Sequence, residues 1–385
     1  SIIFSNISMF NNNSKNLYTA LLHRIGCTHR DLKTMILERQ FSPENIYDEL
    51  QNASQKMLVL LGEKKFEKIL QNLKKVDPEK FFQYIDEKNI RIKTLLDEDF
   101  PEKIRHIHQI PFIIYTLWSI NIEAISMGIV WSRKNTEYGK NVLRKIFSEI
   151  PYQNVSIISG GAYGIDSLAH ELALQHHLHT IAVFGCGIDI VYPKTNAKLF
   201  EKILESWGWL LSSFPIGSAP ESYNFPIRNE IVAGLSDSIL IPEASIKSGT
   251  LITASLALDL GKDVFAVPWD IFRETSQGCN QLISTGEAKC TISASDIFEE
   301  FQPQISKNLQ QNFLETNNIN APLKKNFHSE LGEMIFNTIM NGNNTIDSII
   351  SATNIPVENL TIELTMLELD GHISVSPTGI YEYNF

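Results

Sequence analysis

The sequence is poor in cysteine, and its few cysteines are widely separated. Its 385 residues include four, and these are Cys27, Cys186, Cys279 and Cys290. No two of them form a C-x-x-C pair, which argues against a zinc ribbon and favours a reducing cytoplasm. The chain does not start with a basic segment followed by a short apolar one, so a signal peptide is not expected.

Long apolar runs are also scarce. The longest, residues 110–131, is interrupted by Pro111, Asn121 and Glu123. A helix that spans a bilayer needs about 20 predominantly apolar residues. We therefore interpret this stretch as two sheet strands and expect no membrane span.

Positive charge is missing from the last part of the chain. No Lys or Arg follows Lys325, whereas eight acidic residues do, so this tail carries −8 of the net charge of −11. A negative net charge argues against a nucleic-acid partner. Here the negative charge is concentrated at one end, and the rest of the chain is close to neutral. The charge of that larger part therefore does not exclude a nucleic-acid partner.

Changes in composition and in the spacing of apolar residues along the sequence predict four segments. Residues 1–88 show apolar positions at helical spacing and predict a helical domain. Gly26 lies between two of these helices, but the second glycine of a helix-hairpin-helix module that grips DNA is absent, which favours a packing or interaction domain. Residues 89–302 alternate between strands and helices. Residues 303–326 are rich in Gln and Asn and predict a flexible linker.

The last segment, residues 327–385, predicts three helices and a short hairpin, which is the shape of a winged helix. Its would-be recognition helix carries Glu358, Glu363 and Glu368 and no cation. Such a face repels phosphate, so we expect it to meet a protein partner instead.

The central segment predicts a parallel, doubly wound sheet, because buried apolar strands alternate with helices. The predicted strands are 112–117, 128–132, 155–159, 180–184, 209–211, 238–241 and 263–267. The predicted helices are 138–149, 164–175, 196–206, 228–235 and 250–260. Ligands of such sheets bind beyond the carboxyl ends of the strands.

One of these strand ends is followed by a glycine turn and a helix, in residues 155–170. This arrangement aims backbone N–H groups and a helix dipole at an anion such as phosphate, although close packing of a helix on a strand also favours glycine. Small residues, hydroxyls and cations follow the other strand ends too, which suits a run of phosphates. The candidate binding residues are Ser132, Arg133, Gly160, Gly161, Lys194, Arg228, Asn229, Lys247, Ser248 and Gly249.

The chain resembles the DNA-processing protein A family (DprA/Smf) between about residues 97 and 299. The residues that carry the resemblance include Ser132-Arg133, Ser159-Gly160-Gly161-Ala162, Tyr192-Pro193, Phe225-Pro226-Ile227-Arg228-Asn229 and Ser248-Gly249-Thr250. The resemblance implies an α/β fold with an extended Rossmann-like sheet between the helical and winged-helix domains. It also implies a protein that is not an enzyme and needs no metal or cofactor.

The function implied by the resemblance is binding of single-stranded DNA, homodimerisation through the Rossmann-like domain and loading of a RecA-type recombinase during natural transformation. Arg133 and Lys194 are then implied to contact phosphates, and Arg228 and Lys247 to line the same groove. Gly160, Gly161, Ser248 and Gly249 are implied to supply backbone or hydroxyl donors.

Three positions depart from the pattern of the family: Trp131, Glu230 and Trp269. We expect them to change the shape and the charge of the groove. A carboxylate at the start of a groove-side helix repels phosphate, so Glu230→Arg is expected to tighten DNA binding. The alternative is that Glu230 pairs with Lys247 or Arg228.

Two other functions fit parts of the sequence. In a Rossmann-like nucleotide phosphoribohydrolase, Glu243 is the candidate acid, and Asp166 with His170 is a candidate pair, either catalytic or structural. In a protein-interaction scaffold, the DNA groove has decayed. The cluster His176-His177-Leu178-His179 is expected to be a solvated helix end and not a metal site.

Overall fold

The computed structural model describes residues 12–117, 125–131, 136–151, 154–301, 330–340, 345–353, 355–369, 373–375 and 381–383. Contacts divide the chain into two compact units, residues 1–309 and 310–385. The predicted linker, 303–326, lies outside the described residues. In the described part of the chain, no helix is both long and apolar enough to cross a bilayer.

The prediction of a helical start is confirmed. The first helices are α1 (Ser14–Ile25), α2 (His29–Leu32, continued by a wider turn over Lys33–Glu38), α3 (Pro43–Gln51), α4 (Gln55–Leu61), α5 (Glu63–Leu73) and α6 (Pro78–Glu87). The side chains of Asn13, Ser42 and Asp77 accept hydrogen bonds from backbone N–H groups of the first turns of α1, α3 and α6. Such caps satisfy donors that a helix cannot pair internally. Gly26 ends α1 at φ +119°, a conformation that favours glycine.

The rest of the first unit alternates between strands and helices, as predicted. Its strands are β1 (Ile90–Thr94), β2 (Ile113–Leu117), β3 (Ile125–Ile129), β4 (Val155–Ser159), β5 (His179–Gly187), β6 (Trp209–Phe214), β7 (Ser238–Ile241), β8 (Asp263–Ala266) and β9 (Lys289–Cys290). Its helices are α7 (Glu137–Ser148), α8 (Ile165–Gln175), α9 (Ala197–Glu205), α10 (Asn224–Leu235), α11 (Gly249–Asp259), α12 (Gln277–Ser284) and α13 (Ala294–Phe298).

The nine strands form one sheet in the order β1-β2-β6-β5-β4-β3-β7-β8-β9. All neighbours from β6 to β9 are parallel. The prediction that the strand near residue 112 belongs to the parallel set is wrong, because β2 pairs antiparallel with both β1 and β6. Doubly wound sheets commonly carry an antiparallel strand at their edge. The strand predicted at 128–132 begins three residues earlier, at Ile125.

Both faces of the sheet are covered. Along β5, Ala182 and Phe184 point into a core shared with the N-terminal helices and α9. The alternate residues Ile181 and Val183 point into a core with α10, α11 and α12. A third core joins β3 and β4 to α7, α8 and α13. Helices therefore flank both faces, and the ends of the strands are the part of the sheet left for ligands.

The second unit contains α14 (Glu330–Met340), α15 (Ile346–Thr353) and α16 (Val357–Leu369), followed by the antiparallel strands β10 (Ile373–Val375) and β11 (Tyr381–Tyr383). A small core that includes Ile335, Leu360 and Leu364 joins the three helices.

Candidate functional site

The carboxyl ends of the parallel strands bring most of the predicted binding residues to one edge of the sheet. Gly160 and Gly161 follow β4, Lys194 follows β5, and Lys247 follows β7. Neighbouring strands lie about 4.8 Å apart, so the loops after them form a continuous row. Ser132 and Arg133, which come after β3 in the sequence, lie outside the described residues.

The glycine turn after β4 has the geometry of an anion site. Gly161 has φ +65°, and a Cβ on it would lie 3.0 Å from the ring of Phe200. Its carbonyl accepts a hydrogen bond of 3.1 Å from the Nδ2 of Asn196, which holds the turn in place. In the described part of the chain, the backbone N–H groups of Gly160 and Gly161 have no hydrogen-bond partner. They are thus available to an oxygen of a ligand.

Arg228 lies beneath this turn and is only 5% exposed. Its Nη1 donates to the carbonyl of Gly160 and, at 2.7 Å, to the carbonyl of Val183. Its Nε donates at 2.9 Å to the Oδ1 of Asn229, whose Nδ2 donates to the hydroxyl of Thr253. The guanidinium therefore ties the ends of β4 and β5 to α10. These contacts assign Arg228 and Asn229 a positioning role for the glycine turn, and a direct contact of either with phosphate stays a prediction.

Lys194 and Lys247 are exposed, and within the described residues neither makes an ion pair. Lys194 begins a short 3-10 turn, Lys194–Asn196, just after the cis peptide between Tyr192 and Pro193. Lys247 lies two residues before the first residue of α11. Both ammonium groups are free to meet an anion from solvent.

Ser248 is the N-terminal cap of α11. Its Oγ accepts a hydrogen bond of 3.1 Å from the N–H of Thr250 and donates one of 2.8 Å to the hydroxyl of that residue. The hydroxyl of Ser248 is therefore already engaged. Gly249, the first residue of the helix, is exposed and has no atom within 4 Å of its ideal Cβ position, so only its backbone is suited to the predicted donor role.

Exposed aromatic residues at the same edge were missed by the sequence argument. Tyr163, Tyr192 and Tyr223 lie in the loops after β4, β5 and β6 and are 75%, 45% and 68% exposed, and Phe272, after β8, is 89% exposed. The signal in the sequence was an aromatic residue in each of four loops that follow predicted strands. Sequence alone did not distinguish these exposed rings from core residues.

The expectation that Glu230 borders the groove is wrong. Glu230 lies in the second half of α10 and is 4% exposed. Its Oε1 accepts a hydrogen bond of 2.8 Å from the backbone N–H of Gln109. This carboxylate thus provides the acceptor for a backbone N–H group of the loop that contains Gln109. It therefore neither repels phosphate in the groove nor pairs with Lys247.

We now expect Glu230→Arg to destabilise the protein instead of tightening DNA binding. It would leave the N–H of Gln109 without an acceptor and bury a cation, at a cost of about 3–5 kcal/mol. Glu230→Gln keeps an acceptor oxygen and should cost about 1 kcal/mol. Urea unfolding of both variants measures the difference. A Glu230→Arg variant that is as stable as the parent and binds DNA more tightly would restore the original expectation.

The residues singled out by the enzyme hypothesis have other partners. The Nδ1 of His170 lies 2.7 Å from the hydroxyl of Thr180, whereas Asp166 accepts a bond of 3.2 Å from the N–H of Ala162. The two side chains do not pair with each other, so both the catalytic and the structural pairing are wrong. Burial, together with the charge of Arg228, lowers the pKa of His170 to about 3.

Glu243 lies at the carboxyl end of β7 and is 1% exposed. Both of its carboxylate oxygens lie 3.1 Å from the hydroxyl of Thr136, which donates to them. That hydroxyl in turn caps α7 by accepting from the N–H of Gly139. Within the described residues, Glu243 therefore holds the first turn of a helix. Two cavities of about 300 and 380 Å³ lie among the N-terminal helices, away from this strand end.

The chain is similar to a family of known proteins. The family model described as DNA recombination-mediator protein A matches residues 91–302. Protein Smf of a Synechocystis species is 31% identical over 369 residues, which cover 87% of this chain and 92% of that protein. The DNA processing protein DprA of Streptococcus pneumoniae is 36% identical over 210 residues, which cover 54% of this chain and 73% of that protein.

The crystal structure of DNA processing protein A from Streptococcus pneumoniae is similar as well. It aligns with a TM-score of 0.62 and 28% identity, over 74% of this chain and 98% of that one. The family match covers more than half of the chain and includes every strand of the sheet from β2 to β9. The chain therefore belongs to the DNA recombination-mediator protein A family, the family of the DprA and Smf proteins.

Proposed function

We propose that the protein binds single-stranded DNA along the carboxyl edge of its sheet, in the path of DNA processing and recombination. The observation that carries the proposal is that N–H donors and lysine cations lie at the same edge and have no partners among the described residues. The N–H groups of Gly160 and Gly161 lie after β4, and the ammonium groups of Lys194 and Lys247 follow β5 and β7. Ser132 and Arg133 are proposed to complete the row between them.

Backbone phosphates are the ligand class that suits this row. Each loop of the row offers a backbone N–H donor or a positive charge, so binding groups follow one another along the edge. The phosphates of a nucleic-acid backbone follow one another in the same way. A single strand fits better than a duplex, because single-strand grooves combine cations with exposed aromatic rings. Reading of a duplex requires instead a helix or ribbon that enters the major groove.

We expect Lys194→Ala and Lys247→Ala each to weaken binding to single-stranded DNA roughly fivefold at about 0.1 M salt. Each cation that leaves a phosphate removes about 0.7 from the slope of log K against log salt for a single strand. The double variant should lose about 1.4 from that slope. Titration of a labelled oligothymidylate at several salt concentrations measures both quantities.

The matched control is Lys202→Ala with Lys262→Ala. These lysines precede β6 and β8 and so lie at the amino ends of the strands, while the change in net charge is the same. Control and edge variants that weaken binding equally would show that the effect is one of net charge. Equal affinity of the parent for single strands and duplex, or binding insensitive to salt, would contradict the proposal.

We further propose that this role involves binding without catalysis. The support is that Glu243, Asp166 and His170 are engaged by Thr136, Ala162 and Thr180. Incubation with nucleoside monophosphates, followed by chromatography for the released base, tests the proposal. Release of base that depends on Glu243 would favour the phosphoribohydrolase.

The larger assembly is also proposed. We propose delivery of the strand to a RecA-type recombinase and a homodimer formed through the Rossmann-like domain, as the resemblance to the family implies. The exposed apolar side chains of Ile252 and Leu258 on α11, 54% and 36% exposed, support a protein contact on that helix. The cytoplasm is the proposed compartment, since both DNA and a recombinase are found there.

We retain the predicted division into residues 1–88, 89–302, 303–326 and 327–385 as a proposal. The three helices and the antiparallel pair of strands after residue 329 support a winged-helix shape for the last segment. Its charge of −8, without any Lys or Arg, supports a protein rather than DNA as its partner.

A further inference from the structure

The loop between β8 and α12 presents two apolar side chains to solvent. Ile271 is 69% exposed and Phe272 is 89% exposed. Burial of a phenylalanine ring is favourable by about 1.5–3 kcal/mol, so a ring held this far out of the core calls for an explanation.

The loop is held by hydrogen bonds at both of its ends. The Nδ2 of Asn280 donates to the carbonyl of Trp269 at 2.9 Å, and the Oδ1 of Asn280 accepts from the N–H of Trp269 at 3.2 Å. The N–H of Phe272 donates at 2.9 Å to the Oδ1 of Asp270. The hydroxyl of Ser276 donates to the carbonyls of Asp270 and Arg273. The exposure of Phe272 is therefore a property of an ordered loop.

A stack of flat groups supports the same loop. The rings of Tyr138 and Trp269 lie 3.9 Å apart, with 5° between their planes. The Cζ of Arg273 lies 4.5 Å from the centre of the Trp269 ring, and its side chain is 58% exposed. The hydroxyl of Tyr138 donates at 3.2 Å to the carbonyl of Pro268. Trp269 is one of the positions at which this chain departs from the family pattern. Its ring contacts both Tyr138 and Arg273 and so supports the loop.

The loop lies next to one of the candidate phosphate-binding loops at the carboxyl edge of the sheet. Strand β8 is the parallel neighbour of β7, and the loop after β7 carries Lys247. The N–H of Gly278, at the start of α12, donates at 2.8 Å to the carbonyl of Ala244 in that loop. A side chain on Gly278 would lie 2.7 Å from the same carbonyl oxygen, so only glycine permits this approach. The segment that follows the Phe272 loop is therefore in contact with the loop that carries Lys247.

We infer that residues 269–273 form a base-stacking surface for single-stranded nucleic acid, and that Phe272 is the side chain that a base contacts. The inference rests on the proposed function and extends it from the phosphates to the bases. Bases stack on aromatic rings and on guanidinium planes, and the loop offers both in Phe272 and Arg273. A second copy of this chain fits less well, because two apolar side chains fall far short of the about 800 Å² per partner of a stable interface.

The test compares an oligothymidylate with an abasic strand of the same length, each titrated at the same series of salt concentrations, for the full chain. Phe272→Ala should weaken binding of the oligothymidylate on the order of tenfold, since stacking contributes about that factor per base. Its affinity for the abasic strand and the salt slope should stay at the values of the parent, because no phosphate contact is lost. Phe272→Leu should behave like Phe272→Ala, and Phe272→Tyr should bind like the parent.

The matched control is Trp207→Ala. Trp207 is 71% exposed and precedes β6, at the opposite edge of the sheet, so this variant should leave both affinities unchanged. The inference is overturned if Phe272→Ala binds both strands like the parent, if it weakens both equally, or if it changes only the mass measured by light scattering. A parent that binds the two strands equally overturns the inference and leaves the proposed function intact, whereas a parent that binds neither overturns both.

Discussion

Gly160→Ala is expected to lower the free energy of unfolding by about 3–5 kcal/mol, although it adds only a methyl group. An ideal Cβ on Gly160 would overlap the guanidinium of Arg228. That guanidinium is buried and donates to the carbonyls of Gly160 and Val183. Its displacement breaks two hydrogen bonds of a buried cation, and breaking such a buried arrangement costs about this much.

A double-mutant cycle isolates the cause. Arg228→Met removes the cation and its hydrogen bonds to the two carbonyls, so it should cost about 2–4 kcal/mol by itself. Once the guanidinium is gone, the methyl group of Gly160→Ala has room, and the double variant should be about as stable as Arg228→Met alone. The interaction free energy should therefore be a few kcal/mol, as expected for side chains in contact.

Gly249→Ala serves as the control for glycine replacement. Gly249 is the first residue of α11 and has no atom within 4 Å of its ideal Cβ position, so this variant should be within about 0.5 kcal/mol of the parent. Urea unfolding curves provide all of these values. Additive effects of Gly160→Ala and Arg228→Met would show that the two groups act independently and that the turn does not depend on the guanidinium.

The edge of the sheet at which the candidate residues meet could be predicted from the sequence, whereas the surroundings of its charged residues could not. The strand, glycine turn and helix of residues 155–170 placed a donor-rich turn at the end of β4, because parallel strands that alternate with helices leave only one edge for ligands. Whether a charged side chain on the following helices faces solvent depends on which backbone N–H and carbonyl groups nearby in the fold lack a hydrogen-bond partner. Arg228 and Glu230 lie two residues apart on α10, and both are buried against carbonyl or N–H groups from distant parts of the chain.

The antiparallel edge of the sheet was out of reach for a similar reason. The sequence of β2 is as apolar as those of the parallel strands, and the direction of a strand is set by the path of the chain that leads to it. The path from Leu117 to Ile125 lies outside the described residues, but the pairing of β2 with β6 is antiparallel. The exposure of Phe272 was equally hidden, since an aromatic residue after an apolar strand has the same sequence pattern whether it turns inward or outward.

Mild acid is expected to destabilise the first unit well before carboxylates protonate. Four histidines of the described residues have lowered pKa values: His23 and His170 are buried, and His29 and His179 are half-buried. Burial lowers the pKa of His29 to about 4 and, with the nearby charge of Arg228, that of His170 to about 3. Burial and the neighbouring His29 also hold the pKa of His23 well below its usual value.

The hydrogen bonds of these rings explain why they resist protonation. The Nε2 of His29 donates at 2.9 Å to the carbonyl of Ser213, and its buried Nδ1 has no partner among the described residues. The hydroxyl of Thr180 donates to the carbonyl of Ile157 and so accepts from the Nδ1 of His170. The Nε2 of His170 is likewise buried without a partner among the described residues. A second proton on either ring would be a buried donor without an acceptor.

The direction of the effect follows from the two states. In the unfolded chain histidine takes up a proton near pH 6.5, whereas the folded rings do so only near pH 3–4. Below pH 6.5 the unfolded state therefore binds more protons, and stability falls as the pH falls, by up to about 1.4 kcal/mol per pH unit for each ring. The loss should be about 2 kcal/mol per histidine by pH 5, and it should be absent above pH 7.

His29→Gln and His170→Asn test this expectation, because each amide replaces the N–H donor of the ring that it removes. Both variants should lose some stability at pH 7.5 through imperfect packing, but each should flatten the decrease in unfolding free energy between pH 7.5 and 5. His177→Gln is the control, since His177 is exposed, and it should keep the slope of the parent. A decrease that starts only below pH 4.5, or one that His29→Gln and His170→Asn leave unchanged, would assign acid sensitivity to the carboxylates. The buried histidines would then have to be accommodated in their charged form by movements of the surrounding core.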